Sequence, residues 1–287
     1  MCVDDCGSDN SMEIVRKYAT KDARIRILKN AHNIGLGATR NVGMAQAKGE
    51  FIYFLDSDDF IEKNAIEALV EFALESEADI TVGGANAFPH KSDIGLNEYI
   101  LHLNEWLTVS DEEVTINEDK FFYAIKEIPC IAWGKLYKAA FLQKNKLKFI
   151  NEKVFHEDNG FHIKCMACCP KIRTVSRIFY QYRIRTSSLM QNALADEERR
   201  RLHLKKSVDD ALTYLSDRKK PSKYFENVRD ANWDLFALKS RLVTLYFGKY
   251  EKRVRFLGVN WLKQTSNDGK TVRFALMGIR LLKFSLW

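Results

Sequence analysis

The sequence contains no apolar run approaching the length of a membrane span, and no signal peptide opens it. A cytoplasmic protein is therefore expected, peripheral at most to the inner face of the plasma membrane. Cys2, Cys6, Cys130, Cys165, Cys168 and Cys169 show no even, regular spacing, which argues against a disulfide scaffold and for a reducing compartment. Cys165-Met-Ala-Cys168 has metal-like spacing but lacks a second pair, and its apolar surroundings point to buried thiols. No repeat or low-complexity tract is visible, and no Gly- and Lys/Arg-rich triphosphate loop of the nucleotidyltransferase kind stands near the start. The basic residues lack an aromatic stacking platform, so no nucleic-acid partner is expected.

What is present is ordinary in bulk and uneven in distribution. The 287 residues are 46% hydrophobic and 29% charged, enough for a sizeable core in one large or two small domains. Residues 1–195 hold 24 Lys/Arg against 27 Asp/Glu, a net of −3, while residues 196–287 hold 21 against 11, a net of +10. The acidic part reads as catalytic and the basic tail as an anchor for something anionic.

One segment is more informative than any other. Phe51-Ile-Tyr-Phe-Leu-Asp56-Ser-Asp58-Asp59-Phe60 begins as a strand buried on both faces and stops in acids. Carboxylates at the carboxyl end of such a strand sit at the ligand crevice of an open α/β sheet. If the pleat continues, Asp56 and Asp58 share a side and could hold one hard divalent cation, Mg²⁺ or Mn²⁺, together with substrate phosphates. A strand-to-helix turn capped by aspartate would leave the same residues. A phosphatase of the haloacid dehalogenase type would want Gly-Thr after the acids, and Asp59-Phe60 stands there instead.

Around this segment the pattern alternates. A strand ending at Asp4-Asp5, a helix through Ile14 and Tyr18, a short strand at Ile25 to Leu28 and a helix from about Ala38 to Ala47 come before it. A helix through Leu69 and Phe72 and a strand from Asp79 to Gly83 come after. The alternation predicts an α/β fold with a doubly wound, largely parallel sheet. It loosens over residues 84–130, a candidate acceptor region. A helix is predicted from Phe155 through Cys165, a strand from Val175 to Tyr182, and a helical, charged region beyond Asp196, with a hinge at Ser216 to Pro221. Domains of 1–195 and 196–287 follow.

Several ordered motifs together resemble the family 2 glycosyltransferases, which have the GT-A fold. They are Val3-Asp4-Asp5-Cys6-Gly7-Ser8-Asp9-Asn10-Ser11, Asn33-Ile-Gly35-Leu-Gly37-Ala-Thr-Arg40-Asn41, Lys48-Gly49-Glu50 and Asp56-Ser-Asp58-Asp59, then Trp133-Gly-Lys135-Leu-Tyr137, Glu157-Asp158 and Tyr180-Gln-Tyr182-Arg183-Ile-Arg185-Thr-Ser-Ser188. The resemblance covers roughly residues 1–190, and its nearest style is that of bacterial enzymes building capsule, exopolysaccharide or lipooligosaccharide. Two features depart from the family. The usual first strand–helix unit with a Pro-Val-Tyr-Asn type segment is absent, so an N-terminally truncated domain is expected. The usual Asp-Asp-Gly-Ser-Thr-Asp turn reads Asp-Asp-Cys-Gly-Ser-Asp.

The resemblance implies an inverting, metal-dependent sugar transfer from a nucleotide-diphosphate donor, probable base uracil, to a glycan or lipid-linked acceptor. Asp4 and Asp5 would contact the nucleotide, and Arg40 a phosphate or the nucleotide. Asp56 and Asp58 would hold Mn²⁺ or Mg²⁺ with the diphosphate, Asp58 being the more direct ligand. Asp158, at a helix start, would be the general base. Lys135 would line the donor pocket, Trp133 and Glu157 the acceptor side, and Arg183 and Arg185 would clamp the diphosphate. The missing strand leaves a non-catalytic remnant as the alternative. In the tail, Arg273, Arg280 and Lys283 at spacings of seven and three among apolar residues predict an amphipathic helix, either on an anionic membrane or packed on the domain.

Overall fold

A computed structural model of the chain describes residues 1–89, 97–185 and 196–231, and beyond them five strands between residues 243 and 285. The chain divides into two compact units, Met1–Trp233 and Asp234–Trp287. The boundary expected at 195/196 thus falls later, because the helices that follow Asp196 pack into the first unit.

The first unit opens with the predicted alternation. β1 (Cys2–Asp4) and β2 (Ile27–Lys29) pair in parallel, Cys2 opposite Ile27, with α1 (Ser11–Ala19) as the crossover that parallel neighbours require. Glu13 in its first turn and Arg16 and Lys17 in its last suit the helix dipole. α2 (Leu36–Ala45) follows β2.

The larger sheet contains β3 (Phe51–Tyr53), β4 (Phe60–Ile61), β5 (Ile80–Pro89), β6 (Glu112–Thr115), β7 (Lys135–Lys138) and β8 (Lys171–Ile184). Its order is β3-β7-β5-β8-β4, with β6 also paired to β8. It is mixed, not largely parallel: β5 and β8 run in parallel, while β7 lies antiparallel to both β3 and β5. β3, β5 and β8 therefore share one direction, as the β–α alternation implies, and β7 is inserted against it. The reversal follows from the loosened region before β7. There α4 (Asn97–Leu107), β6 and α5 (Glu118–Glu127) replace a simple crossover.

Both faces of this sheet are covered. Along β7, Leu136 packs toward α3 (Ala65–Ser76) with Leu69, Val175 and Phe179, and Tyr137 packs oppositely with Phe54, Phe149 and Phe161. The second face is closed by α7 (Glu157–Cys168), α8 (Glu197–Asp217) and α9 (Ser222–Asp230), while the short α6 (Ala139–Lys144) follows β7. Asp196 caps α8 by accepting from the Arg199 N–H. Lys164 of α7, buried, pairs with Asp210 of α8 at 2.5 Å.

The second unit contradicts the predicted helical tail. β9 (Val243–Phe247), β10 (Glu251–Phe256), β11 (Val259–Thr265), β12 (Thr271–Leu276) and β13 (Ile279–Ser285) form an antiparallel sheet in sequence order. The amphipathic helix expected over Val272 to Trp287 is instead the β12–β13 pair, with Val272 opposite Phe284. Val272, Phe274 and Leu276 alternate with Arg273 and Ala275, a period of two that suits a strand. Leu286 and Trp287 lie outside the described residues.

Candidate active site

The chain after β1 is organised by Asp5. Its Oδ1 accepts from Asn30 Nδ2 and the Ile34 N–H, both at 2.8 Å, and its Oδ2 from the Gly35 N–H at 2.9 Å. Burial opposes ionisation, but these hydrogen bonds hold the carboxyl below its ordinary range. Asp4 is buried and its Oδ1 accepts the Gly7 N–H at 3.0 Å, a tight local turn. Both acids expected at the nucleotide therefore hold the chain, Asp5 through the loop that leads into α2.

That loop sets the position of Arg40. Gly35 has φ +89°, which only glycine adopts without strain, and Gly37 lies so close to α7 that a Cβ would sit 3.1 Å from Glu157 Cβ. One turn later the Arg40 side chain, 7% exposed, reaches three carboxylates. Nη1 donates to Glu157 Oε1 and to Asp158 Oδ1, both at 2.7 Å, and Nη2 to Asp56 Oδ1 at 2.8 Å. Its Cζ lies 5.4 Å from the Phe149 ring centroid and 6.0 Å from that of Phe54. Burial would favour the neutral guanidinium, but Asp158, Asp56 and Glu157 hold it firmly charged. Burial and then Asp158 push the Glu157 carboxyl up to about 8, against the pull of Arg40. Asp158 is fixed at its second oxygen as well, where Oδ2 accepts the Ala132 N–H at 3.2 Å.

The pleat does not continue past β3. The Asp59 N–H donates to the Asp56 carbonyl at 3.1 Å, so the acids lie in a turn and Asp56 and Asp58 face different arginines. The end of β8 holds that turn. Arg185 Nη2 donates to Asp58 Oδ2 at 2.5 Å, Arg183 Nε to the Asp58 carbonyl at 2.7 Å, and the Arg183 N–H to Asp59 Oδ1 at 2.7 Å. The Tyr180 hydroxyl donates to Asp59 Oδ2 at 2.6 Å and accepts the Asp56 N–H at 3.2 Å. Burial pushes the Asp59 carboxyl up to about 6.

Residues 1–140 match the family described as glycosyl transferase family 2. Over these residues the chain is similar to glycosyltransferase family 2. It is 34% identical over 191 residues to glycosyltransferase GlyA of Streptococcus pneumoniae, covering 65% of this chain and 26% of that protein. It is 29% identical over 195 residues to the uncharacterized glycosyltransferase EpsJ of Bacillus subtilis, covering 66% and 53%. Among solved structures, Staphylococcus aureus TarS 1–349 in complex with UDP-GlcNAc superimposes with a TM-score of 0.57 at 23% identity, over 84% of this chain and 66% of that one. The fold is the GT-A fold. The chain spans about a quarter to a half of the length of these two curated relatives.

The structure brings Arg40, Asp56, Glu157, Asp158, Asp58, Arg183 and Arg185 into one connected network, joined through the turn at Asp56–Asp59 and Tyr180. Two residues expected in the pockets lie elsewhere. Lys135 is 1% exposed; its Nζ donates to the Pro129 carbonyl at 2.5 Å and lies 3.4 Å from His162 Nδ1. Burial lowers its pKa to about 8. It supports the chain before Trp133. Trp133 is 5% exposed and stacks on Tyr180 at 4.3 Å and Tyr182 at 5.1 Å, so its ring serves the core and not an acceptor sugar. Arg40 faces carboxylates where a phosphate was expected. Thr186, Ser187 and Ser188 lie outside the described residues.

Sequence reading assigned no role to Tyr180, Asp59 or Asn41. Asn41 Nδ2 donates to the Phe149 carbonyl and its Oδ1 accepts the Phe149 N–H, both at 2.9 Å, which ties α2 to the segment before Glu157. Their presence inside the ordered motifs was the available signal, but the partners lie more than 100 residues away in sequence.

Proposed function

We propose that the chain is an inverting glycosyltransferase that moves a sugar from a UDP-linked donor to a hydroxyl of a glycan or lipid-linked acceptor, in the synthesis of a cell-surface polysaccharide. One observation carries this reading: the acidic turn after β3 and the Glu157-Asp158 pair at the start of α7 meet across one buried arginine. The match of residues 1–140 to family 2 supports transfer chemistry, and the names of relatives support the polymer class. Two Staphylococcus aureus and Bacillus relatives act, by name, on poly(ribitol-phosphate).

Asp158 is the general base. It sits at the N-terminus of α7, where the helix dipole favours a carboxylate, and both oxygens are oriented by N–H donors. Taking the acceptor proton as the oxygen attacks contributes ~10²–10⁴-fold in rate. A base on the acceptor side acts in a single displacement, hence inversion. Arg183 and Arg185 stand beside the acidic turn and supply cationic N–H donors for a departing diphosphate.

Among the described residues no three acidic, histidine or cysteine side chains are gathered to hold a metal, so a divalent cation here would take two protein carboxylates and draw its other ligands from the donor's diphosphate. Asp56 and Asp58 offer hard oxygen donors, and each engages its arginine through one carboxylate oxygen. When bound, Mn²⁺ or Mg²⁺ would act there as a Lewis acid for charge growing on the leaving diphosphate.

The test is calorimetry of UDP binding with and without Mn²⁺, on this chain and on Asp58→Ala. Mn²⁺-dependent binding that is lost in the variant is the expected result, followed by screening UDP-sugars for UDP release. A folded parent that binds no UDP would sink the proposal and leave a non-catalytic domain. Among the described residues no helix is long and apolar enough to cross a membrane.

A further inference from the structure

We infer that Arg40 is a positioning residue serving both halves of the site at once, holding the acceptor-side base Asp158 and the donor-side carboxylate Asp56 in one arrangement, and that it makes no contact with the donor's phosphates. The inference rests on the glycosyl-transfer reading and names a role within that site.

The geometry leaves the guanidinium little else to do. Nη1 is shared between Glu157 Oε1 and Asp158 Oδ1, Nη2 is used by Asp56 Oδ1, and the side chain is 7% exposed over Phe149 and Phe54. A phosphate-binding arginine needs a free edge of its fork turned to solvent. Here the planar fork is spent on spanning two elements, the turn after β3 and the first turn of α7. Only a planar group with separated nitrogens can do so. A lysine ammonium is a single point, and it can keep the charge without keeping the span.

The local sequence is built for this reach. Gly37 brings α2 against Glu157, and Asn41 fixes the segment before α7 from the same helix. Arg40 lies between these two contacts, so its depth relative to Asp158 is set on both sides. Asp158 is oriented at both oxygens, with Arg40 on Oδ1 and the Ala132 N–H on Oδ2.

The role separates from phosphate binding by which kinetic constant moves. Misplacing a catalytic group by about 1 Å costs on the order of 10²-fold in rate. Arg40→Lys is made first because it retains the charge, and Arg40→Ala second; thermal melts establish that each is folded. UDP affinity is measured by calorimetry at saturating Mn²⁺, so that a change in metal affinity from a displaced Asp56 does not enter, and kcat and KM from UDP release with whichever UDP-sugar the parent turns over. The expected result is a fall in kcat of about 100-fold for Arg40→Lys, with UDP affinity and donor KM within about threefold of the parent, and part of the lost kcat in Arg40→Ala restored by millimolar guanidinium. A rise in donor KM at constant kcat, or weaker UDP binding, would show a phosphate contact and overturn the inference. Unchanged kinetics in Arg40→Lys, or an Arg40→Lys chain that does not fold, would overturn it too, leaving only a structural arginine. A parent that binds no UDP fails the glycosyl-transfer reading itself, which the variants' behaviour cannot do.

Discussion

Asp5 follows β1 and Asp58 lies in the turn after β3; both acids close strands of the same unit, and the sequence reads the first as a nucleotide contact and the second as a metal ligand. Asp5 accepts two backbone N–H groups and an asparagine amide from the loop before α2. Asp58 accepts from the side chain of Arg185, at the end of β8, and that arginine is 42% exposed. A carboxylate satisfied by backbone amides is part of the architecture, since freeing it strands the amides. A carboxylate satisfied by a half-exposed arginine can exchange that partner for a cation, and the arginine can take an anion in return. The two acidic ends thus divide the labour: one fixes the loop that places Arg40, and the other is available to ligands.

The comparison breaks most sharply at the base. Asp158→Asn retains shape and one hydrogen-bond acceptor for Ala132 but cannot take a proton, so kcat should fall by ~10²–10⁴-fold with UDP affinity unchanged by calorimetry. A loss of less than about tenfold would place the base elsewhere. Next in size is Asp58→Ala, for which Mn²⁺-dependent UDP binding should disappear while Tm stays within a few degrees. Asp5→Ala should do the reverse. Three N–H donors lose their partner, and the chain should lose about 2 kcal/mol, read as roughly a 5 °C fall in Tm. If Asp58→Ala is the destabilised variant and Asp5→Ala the one that loses only UDP, the division proposed here is inverted.

How far these roles could be seen beforehand depended on the range of the contacts. The strand before Asp56, α2, α3 and α7 are written in local sequence pattern, and the motifs pointed to the residues that meet: Arg40, Asp56, Asp58, Asp158, Arg183 and Arg185 do converge. What each side chain bonds was not visible. Arg40 meets Glu157 across 117 residues of chain, and nothing near Arg40 distinguishes a carboxylate partner from a phosphate. Lys135 sits between Gly134 and Leu136 with no local sign that it is buried. β7 was hidden for a related reason, because strand direction is decided by the path that precedes it, and residues 84–130 give no clear period. In the tail, Arg273, Arg280 and Lys283 fit one helical face, yet Val272, Phe274 and Leu276 alternate as in a strand. Cross-strand pairing decided between the two periods, and Arg273 stands opposite Lys283 in the register.

The finest contrast between the two acidic ends is in their response to pH. Asp5 is held below its ordinary range by its hydrogen bonds. Its contribution to stability is therefore present above the unfolded carboxylate range, near pH 4, and is lost as pH falls through the lower folded value. Asp59, beside Asp58, is pushed up to about 6 by burial. In that case the folded chain binds the extra proton, so stability should decrease as pH rises from about 4 to about 6 and level off beyond. Asp59→Asn removes the titration and keeps one oxygen to accept the Arg183 N–H, while its amide nitrogen can only donate toward the Tyr180 oxygen. Tm measured between pH 4 and 7 should thus show a smaller decline in Asp59→Asn than in the parent, by a few degrees at most, because the group is partly solvated. An identical slope in both chains would mean that Asp59 does not hold a proton in the folded state. The acidic turn would then be fully charged before any ligand arrives, with Arg40 and Arg185 carrying its whole compensation.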